Sequence, residues 1–268
     1  MTESITVERS DHVAVVWLDR SEKLNALSPD MWAGIPSVVS QLGKDPEVRV
    51  LVVRGRGRAF TVGIDLEMLA TLAPEGISEA ERRRTLMATI KRLQGTFNAF
   101  ADCPKPVIAA IHGYCLGAGI DLITACDIRW SAADATFSVR ETRLGLVADV
   151  GTMQRLPRIV GPGHVAELVY TGADIGAERA LEMGLVSRVL PDEESLHKET
   201  MDLAEEIASN SPLVVEGAKA VLRANEGRTI DQALDYMALW NAAFMISDDL
   251  HEAIKAHAEK RPPRFTGA

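Results

Sequence analysis

Apolar positions along the chain follow two different rhythms. Val13–Leu18 reads Val-Ala-Val-Val-Trp-Leu, and residues 48–53 read Val-Arg-Val-Leu-Val-Val. Short β-branched runs of this kind, closed by turn residues such as Gly55-Arg-Gly57, predict strands. Val107–Ile111 predicts a third strand, and residues 128–131 and 136–139, around Ala132-Ala-Asp134, predict two more. Between them the pattern turns helical. One helix is expected over 28–44, with Ser28 as N-cap and Pro29 in the first position, and another over roughly 78–102. Strands alternating with helices imply an α/β architecture.

After Pro191-Asp192 the strand pattern stops. Residues 193–210, 212–225, 229–246 and 248–260 each read as helix, which divides the chain into an α/β part, 1–192, and a helical region, 193–268. In the third helix Leu234, Met237, Ala238, Trp240, Asn241 and Phe244 form a largely apolar stripe. Such a stripe is expected to pack on its own core, with a subunit interface as the alternative. Arg82, Arg83 and Arg84, beside Glu79 and Glu81, read as a solvated helix face.

Composition acts by exclusion. The 268 residues are 47% hydrophobic and 25% charged, enough for a well-buried core. The balance of 29 basic and 38 acidic side chains gives a formal charge of −9, the wrong sign for neutralising nucleic-acid phosphates. No apolar run reaches the ~20 residues of a membrane span. The opening Met-Thr-Glu-Ser lacks the marks of a secretory or mitochondrial leader, and the final Phe265-Thr266-Gly267-Ala268 is not a peroxisomal Ser-Lys-Leu signal. The expectation is a soluble, cytoplasmic protein with no membrane or nucleic-acid partner. Cys103, Cys115 and Cys126 form no Cys-x-x-Cys, and the six histidines form no His-Glu-x-x-His, so neither disulfides nor a metal site is predicted.

Two glycine-containing turns follow apolar strands: 59–66, Ala-Phe-Thr-Val-Gly-Ile-Asp-Leu, and 112–121, His-Gly-Tyr-Cys-Leu-Gly-Ala-Gly-Ile-Asp. Glycine there lets backbone approach a ligand and leaves unpaired amides at a helix start, suited to an anion or a carbonyl oxygen gaining charge. A dinucleotide fingerprint fails, because the third glycine would fall on Leu122. The structural alternative is tight helix–strand packing. Three acids lie near these turns. Asp121 opens an apolar helix, Glu141 follows the strand at 136–139, and Asp149 sits within Gly145-Leu-Val-Ala-Asp-Val-Gly151. An acid in such an apolar stretch invites burial, which demands a partner or a raised pKa. Their local alternatives are an Asp121 cap on its own helix, a Glu141 pair with Arg140 or Arg143, and an Asp149 cap on a helix near Gly151.

These residues carry a resemblance. The chain resembles the enoyl-CoA hydratase/isomerase (crotonase) superfamily over nearly its whole length. The matching features are Leu24-Asn25-Ala26-Leu27, the 60–65 turn, Pro106-Val-Ile-Ala-Ala-Ile-His-Gly113, Gly117-Ala-Gly119, Cys126-Asp-Ile-Arg129 and Gly184-Leu-Val186. Within it, Phe-Thr-Val-Gly-Ile-Asp-Leu and Gly-Leu-Val-Ala-Asp-Val-Gly-Thr-Met-Gln-Arg-Leu-Pro are most similar to the Δ3,5-Δ2,4-dienoyl-CoA isomerases. Asp121 and residues 124–129 and 236–241 support the same subgroup.

The resemblance implies a spiral of β-β-α repeats and a C-terminal helical region that builds a trimer, often paired into a hexamer. It implies an oxyanion hole of two backbone amides, carried over by position to Val62 and Ala118. Family members commonly have Gly where Ala118 stands; the amide survives that change. Val62, Gly63, Ile64, Asp65, Leu66 and Ala118 would contact an acyl-CoA thioester. Coenzyme A belongs to the substrate, and no cofactor or metal is implied. Glu141 and Asp149 are assigned to proton transfer and Asp121 to support. Hydratases carry acids at the positions of Asp121 and Glu141 but generally Gly at that of Asp149. The implied activity moves the double bonds of a 3,5-dienoyl-CoA to the 2,4 positions. The alternatives are hydration of a 2-enoyl-CoA by Asp121 and Glu141, or a catalytically weak acyl-CoA- or RNA-binding relative. Arg20, Lys23, Arg56 and Arg58, with Lys255, Lys260 and Arg261, are the candidate cations for the nucleotide.

Overall fold

Both faces of the main sheet are buried, which is why its strands read as unbroken apolar runs rather than alternating ones. The structure is a computed structural model that describes residues 4–70, 76 and 78–268. Its strands are β1 (Ile5–Ser10), β2 (Val13–Leu18), β3 (Val50–Gly55), β4 (Ala59–Thr61), β5 (Val107–Ile111), β6 (Tyr114–Leu116), β7 (Ile128–Ala132), β8 (Thr136–Ser138), β9 (Ile175–Gly176) and β10 (Arg188–Leu190). The helices are α1 (Pro29–Lys44), α2 (Leu66–Ala70), α3 (Glu79–Asp102), α4 (Ala118–Thr124), α5 (Thr152–Arg155), α6 (Pro162–Thr171), α7 (Ala177–Met183), α8 (Glu193–Ala208), α9 (Pro212–Ala224), α10 (Ile230–Phe244) and α11 (Asp248–Glu259).

A six-stranded sheet runs β1-β2-β3-β5-β7-β10, parallel from β2 onward, with β1 antiparallel at its edge. A four-stranded sheet runs β4-β6-β8-β9. Successive chain segments place one strand in each sheet: β3 then β4, β5 then β6, β7 then β8. This is the expected spiral of β-β-α turns. Ala14, Val16, Leu18, Leu51, Val53, Ala109 and Ile111 join the cluster that includes Trp32, Ile35, Phe97 and Phe100 of α1 and α3. Val13, Val15, Trp17, Val50, Val52, Ile108 and Ala110 face α8 through Leu196, Ala204 and Ala208. The first helix after residue 192 is therefore a layer of the core by packing, although the sequence pattern changes there.

The expected caps are present. Ser28 Oγ accepts the Met31 amide at 3.4 Å, and Ser78 Oγ accepts that of Glu81 at 3.2 Å. Glu79 pairs with Arg82 and Arg83 on an exposed face of α3. The strand expected over 48–53 begins at Val50 and runs on through Arg54 and Gly55, because Arg54 is buried with its guanidinium stacked 4.5 Å over Trp17. The apolar stripe of α10 does not pack on the chain's own core. None of its residues is buried, and Leu234 is 61% and Phe244 46% exposed. α10 lies outside both sheets and rests on α9, where a Cβ on Gly217 would overlap the Trp240 ring.

Candidate active site

The site begins with Asn25. Leu24 and Asn25 both adopt left-handed backbone, with φ of 52° and 56°. That turn places the fully buried Asn25 amide between the loop and β4. Its Nδ2 donates to the carbonyls of Arg56 (2.9 Å) and Ala59 (2.7 Å), and its Oδ1 accepts the Arg20 amide. Thr61 Oγ1 donates to the Asn25 carbonyl at 2.6 Å. The 24–27 loop is thus fastened beside β4, and most of the amides that follow are spent on it and on Thr61. Val62 N–H donates to the Leu24 carbonyl at 3.2 Å, Gly63 N–H to Thr61 Oγ1 at 3.1 Å, and Asp65 N–H to the Leu27 carbonyl at 3.2 Å.

One amide is left over. Ile64 N–H has no acceptor among the described residues, and its neighbours Gly63 and Asp65 bond Leu27 on the opposite side of the strand. This corrects the expectation for Val62, whose N–H is already spent in holding the loop. The reason is physical: Gly63, at φ +90°, turns the chain, Val62 and Asp65 on either side donate into the 24–27 loop, and the Ile64 amide between them is left without an acceptor.

The second turn presses against the first. Gly117 has φ +54° and donates its N–H to the Ser138 carbonyl, which turns the chain from β6 directly into α4. Ala118 starts that helix, so its N–H has no intrahelical partner. Gly63, at φ +90°, lies so close that an added Cβ would come within 3.1 Å of Ala118 N and 2.7 Å of the Leu116 carbonyl. The free amides of Ile64 and Ala118 therefore belong to adjoining turns. Both residues line one cavity.

That cavity has a volume of about 670 Å³. Val62, Ile64, Asp65, Leu66 and Ala118 line it, while Gly63 forms the contact behind. Trp32, held by its Nε1–H bond to the Leu27 carbonyl, joins Leu86, Ile90 and Leu93 of α3 and Val150 in an apolar wall. Glu141 and Asp149 both line it, and Asp121 does not.

Asp121 is fully buried behind the cavity. Its Oδ1 accepts the Thr152 amide at 2.5 Å, so it caps α5 rather than its own helix. Burial outweighs that bond and raises its pKa to about 6. Glu141 is 9% exposed, and its Oε2 has no hydrogen-bond partner. Burial, with the nearby Asp121 and Asp149 charges, raises it to about 7. It pairs with neither nearby arginine, since Arg140 is engaged by Asp174 at 2.8 Å and Arg143 Nε by the Thr171 carbonyl. Asp149 is exposed to solvent, yet burial by the protein around it still raises its pKa. It does not cap α5, whose first amide is taken by Asp121. Three carboxylates, each drawn towards its protonated form, thus share one region.

The candidate cations are unequal. Arg20 is held by Asp65 at 2.5 Å, Arg56 by Glu8, and Arg261 by Glu252 and Glu259. Lys23 lines the cavity and makes no ion pair among the described residues.

Paired strands thus wind as a spiral around a cavity that two free amides and two of the three clustered acids line. Residues 8–268 match the family model for enoyl-CoA hydratase/isomerase, and the chain belongs to that family. It is 45% identical over 251 residues to the peroxisomal Δ(3,5)-Δ(2,4)-dienoyl-CoA isomerase of Arabidopsis thaliana, covering 92% of this chain and 90% of the relative. It is 43% identical over 263 residues to the mitochondrial enzyme of that name from Rattus norvegicus, covering 97% and 80%. Among solved structures, a putative enoyl-CoA hydratase from Streptomyces coelicolor A3(2) superposes with a TM-score of 0.90 at 33% identity, covering 99% of this chain and 94% of that one.

Proposed function

We propose that this chain isomerises 3,5-dienoyl-CoA thioesters to 2,4-dienoyl-CoA, the activity for which its curated relatives are named. The thioester oxygen sits between the Ile64 and Ala118 amides. One of Glu141 and Asp149 takes a proton from C2, and the electron pair delocalises through the diene onto that oxygen. The other acid delivers a proton to C6 as the double bonds settle at the 2,4 positions. Fixed donors where charge develops lower the barrier, each by about 3 kcal/mol. Acid and base coexist near neutral pH because burial and mutual repulsion keep one carboxyl protonated.

The observation that carries this reading is that Asp149 shares the cavity with Glu141 while Asp121 lies behind it. Hydration by Asp121 and Glu141 would need both at the substrate, and Asp121 is sealed off and committed to Thr152. The test is steady-state isomerisation by wild type and Asp149→Asn, followed by absorbance of the diene newly conjugated to the thioester, with hydration of a 2-enoyl-CoA measured alongside. Isomerisation lost in a folded variant supports the reading; undiminished isomerisation removes it.

The substrate's nucleotide is assigned to the rim near Lys23. A homotrimer or homohexamer fits the wholly unburied α10, where Ile230 is 78% and Leu239 71% exposed. A mass near 29 kDa by light scattering at micromolar concentration would overturn that assembly. Among the described residues no helix is long and apolar enough to cross a membrane. The relatives named above are peroxisomal and mitochondrial, so they lend no support to the cytoplasmic expectation.

A further inference from the structure

We propose that Gln94 of α3 is a positioning residue for Asp149, an inference that rests on Asp149 transferring a proton. Asp149 stands in a segment, 145–151, that contains no helix or strand and is bounded by glycines at φ +76° and +140°. Hydrogen bonds hold that segment before, at and beyond the acid. Leu146 N–H donates to the Glu141 carbonyl at 3.1 Å before the acid, and Thr152 N–H to Asp121 Oδ1 at 2.5 Å beyond it. At the acid itself the anchor is Gln94 Nε2–H, which donates to the Asp149 carbonyl at 2.7 Å. No side chain bonds the Asp149 carboxylate among the described residues, so its place is set through its backbone.

Gln94 is well placed for this. The adjacent Leu93 is buried in the cavity wall, and Thr96 Oγ1 donates to the Trp32 carbonyl of α1 at 3.0 Å, so this turn of α3 is fixed to the core. One turn later Asn98 accepts a hydrogen bond from Arg155 of α5. α3 thus grips the chain on both sides of Gly151. The Gln94 bond itself lies at the solvent-facing edge of the site, so it contributes geometry more than stability. A displacement of about 1 Å at a proton-transferring group costs on the order of 10²-fold in rate.

The test uses Gln94→Met, which keeps an unbranched helix-forming side chain without the donor, and Gln94→Lys, which restores a donor. Gln94→Met should lower kcat by about 10- to 100-fold with KM within about threefold of wild type and an unchanged melting temperature. Gln94→Lys should recover most of the loss. In deuterated water, Gln94→Met should slow incorporation at only one of the two reacting carbons, since a single acid has been loosened. Unchanged kcat in Gln94→Met overturns the proposal. So does equal slowing at both carbons with a lowered melting temperature, which marks a merely structural residue. Asp149→Asn run in parallel separates the two levels. If it is inactive while Gln94→Met behaves as wild type, only the Gln94 assignment falls; if it is fully active, the reading of Asp149 falls and takes this one with it.

Discussion

The two acid-bearing walls of the cavity place the same functional group in opposite surroundings. On one wall Glu141 follows β8 at the start of a tight turn, nearly sealed, with an unpartnered oxygen and the buried Asp121 behind it. On the other, Asp149 rides an irregular segment open to solvent, placed by side chains of α3 and α4 that bond the backbone at Asp149 and at Thr152. Burial raises both acids, but the first is held in a nearly sealed place and the second is placed by anchoring. A proton relay across a flat substrate needs such inequality, because two acids in identical settings would compete for the same protonation state.

The largest expected effect removes one wall at a time. Asp149→Asn and Glu141→Gln should each lower isomerisation by about 10²–10⁴-fold, measured as steady-state kcat with circular dichroism confirming the fold. A variant pair in which only one acid matters would collapse the comparison. Next, replacing the Ile64 amide by an ester removes the donor while keeping the side chain. Turnover should fall about 10²–10³-fold, with both proton exchanges slowed alike, since the thioester oxygen serves both walls. The same change at Val62 should instead weaken the Leu24 bond and show mainly as lost stability.

The third expectation concerns pH. Glu141 and Asp121 hold protons more tightly folded than unfolded, at about 7 against 4.5 and about 6 against 3.8. Their contribution to stability is full below the lower values and is lost as pH rises through about 6 and about 7. For Glu141 this is on the order of 3 kcal/mol. Urea unfolding of the free protein from pH 4 to 8 should show stability falling over that window, and Glu141→Gln should flatten the fall. The smallest effect belongs to Asp121→Asn, which keeps an acceptor for the Thr152 amide and deletes the charge. It should move the Glu141 limb of the pH–rate profile towards lower pH; an unmoved limb would show that the Asp121 charge does not reach Glu141.

Much of the scaffold was legible because its signals are local. The Ser28-Pro29 start and the buried run Met31, Trp32, Ile35, Val38, Val39, Leu42 identify α1 without tertiary information. β4 and β6 were not legible, since each has only three residues and both are defined by pairing across the second sheet. The acids were found by their placement in apolar, glycine-bounded sequence and by resemblance. Which amide is free was not, because Val62 and Ile64 differ only in that the Leu24 carbonyl takes the Val62 amide. The α10 stripe misled for a related reason: periodicity reveals an apolar face but not what covers it.

Each forward conversion on the proposed route leaves the pair with its protons exchanged. The donor acid has become a carboxylate and the acceptor now carries the C2 proton, a state primed for the reverse reaction. Asp149 can trade protons with bulk water, while Glu141, 9% exposed, meets water only by way of a cavity that product still occupies. The free enzyme therefore cycles between two protonation isomers, and the buried partner resets only after product departs. At high product concentration such an enzyme is caught facing backwards, and small diffusible buffers that can enter the emptied cavity become participants in its turnover.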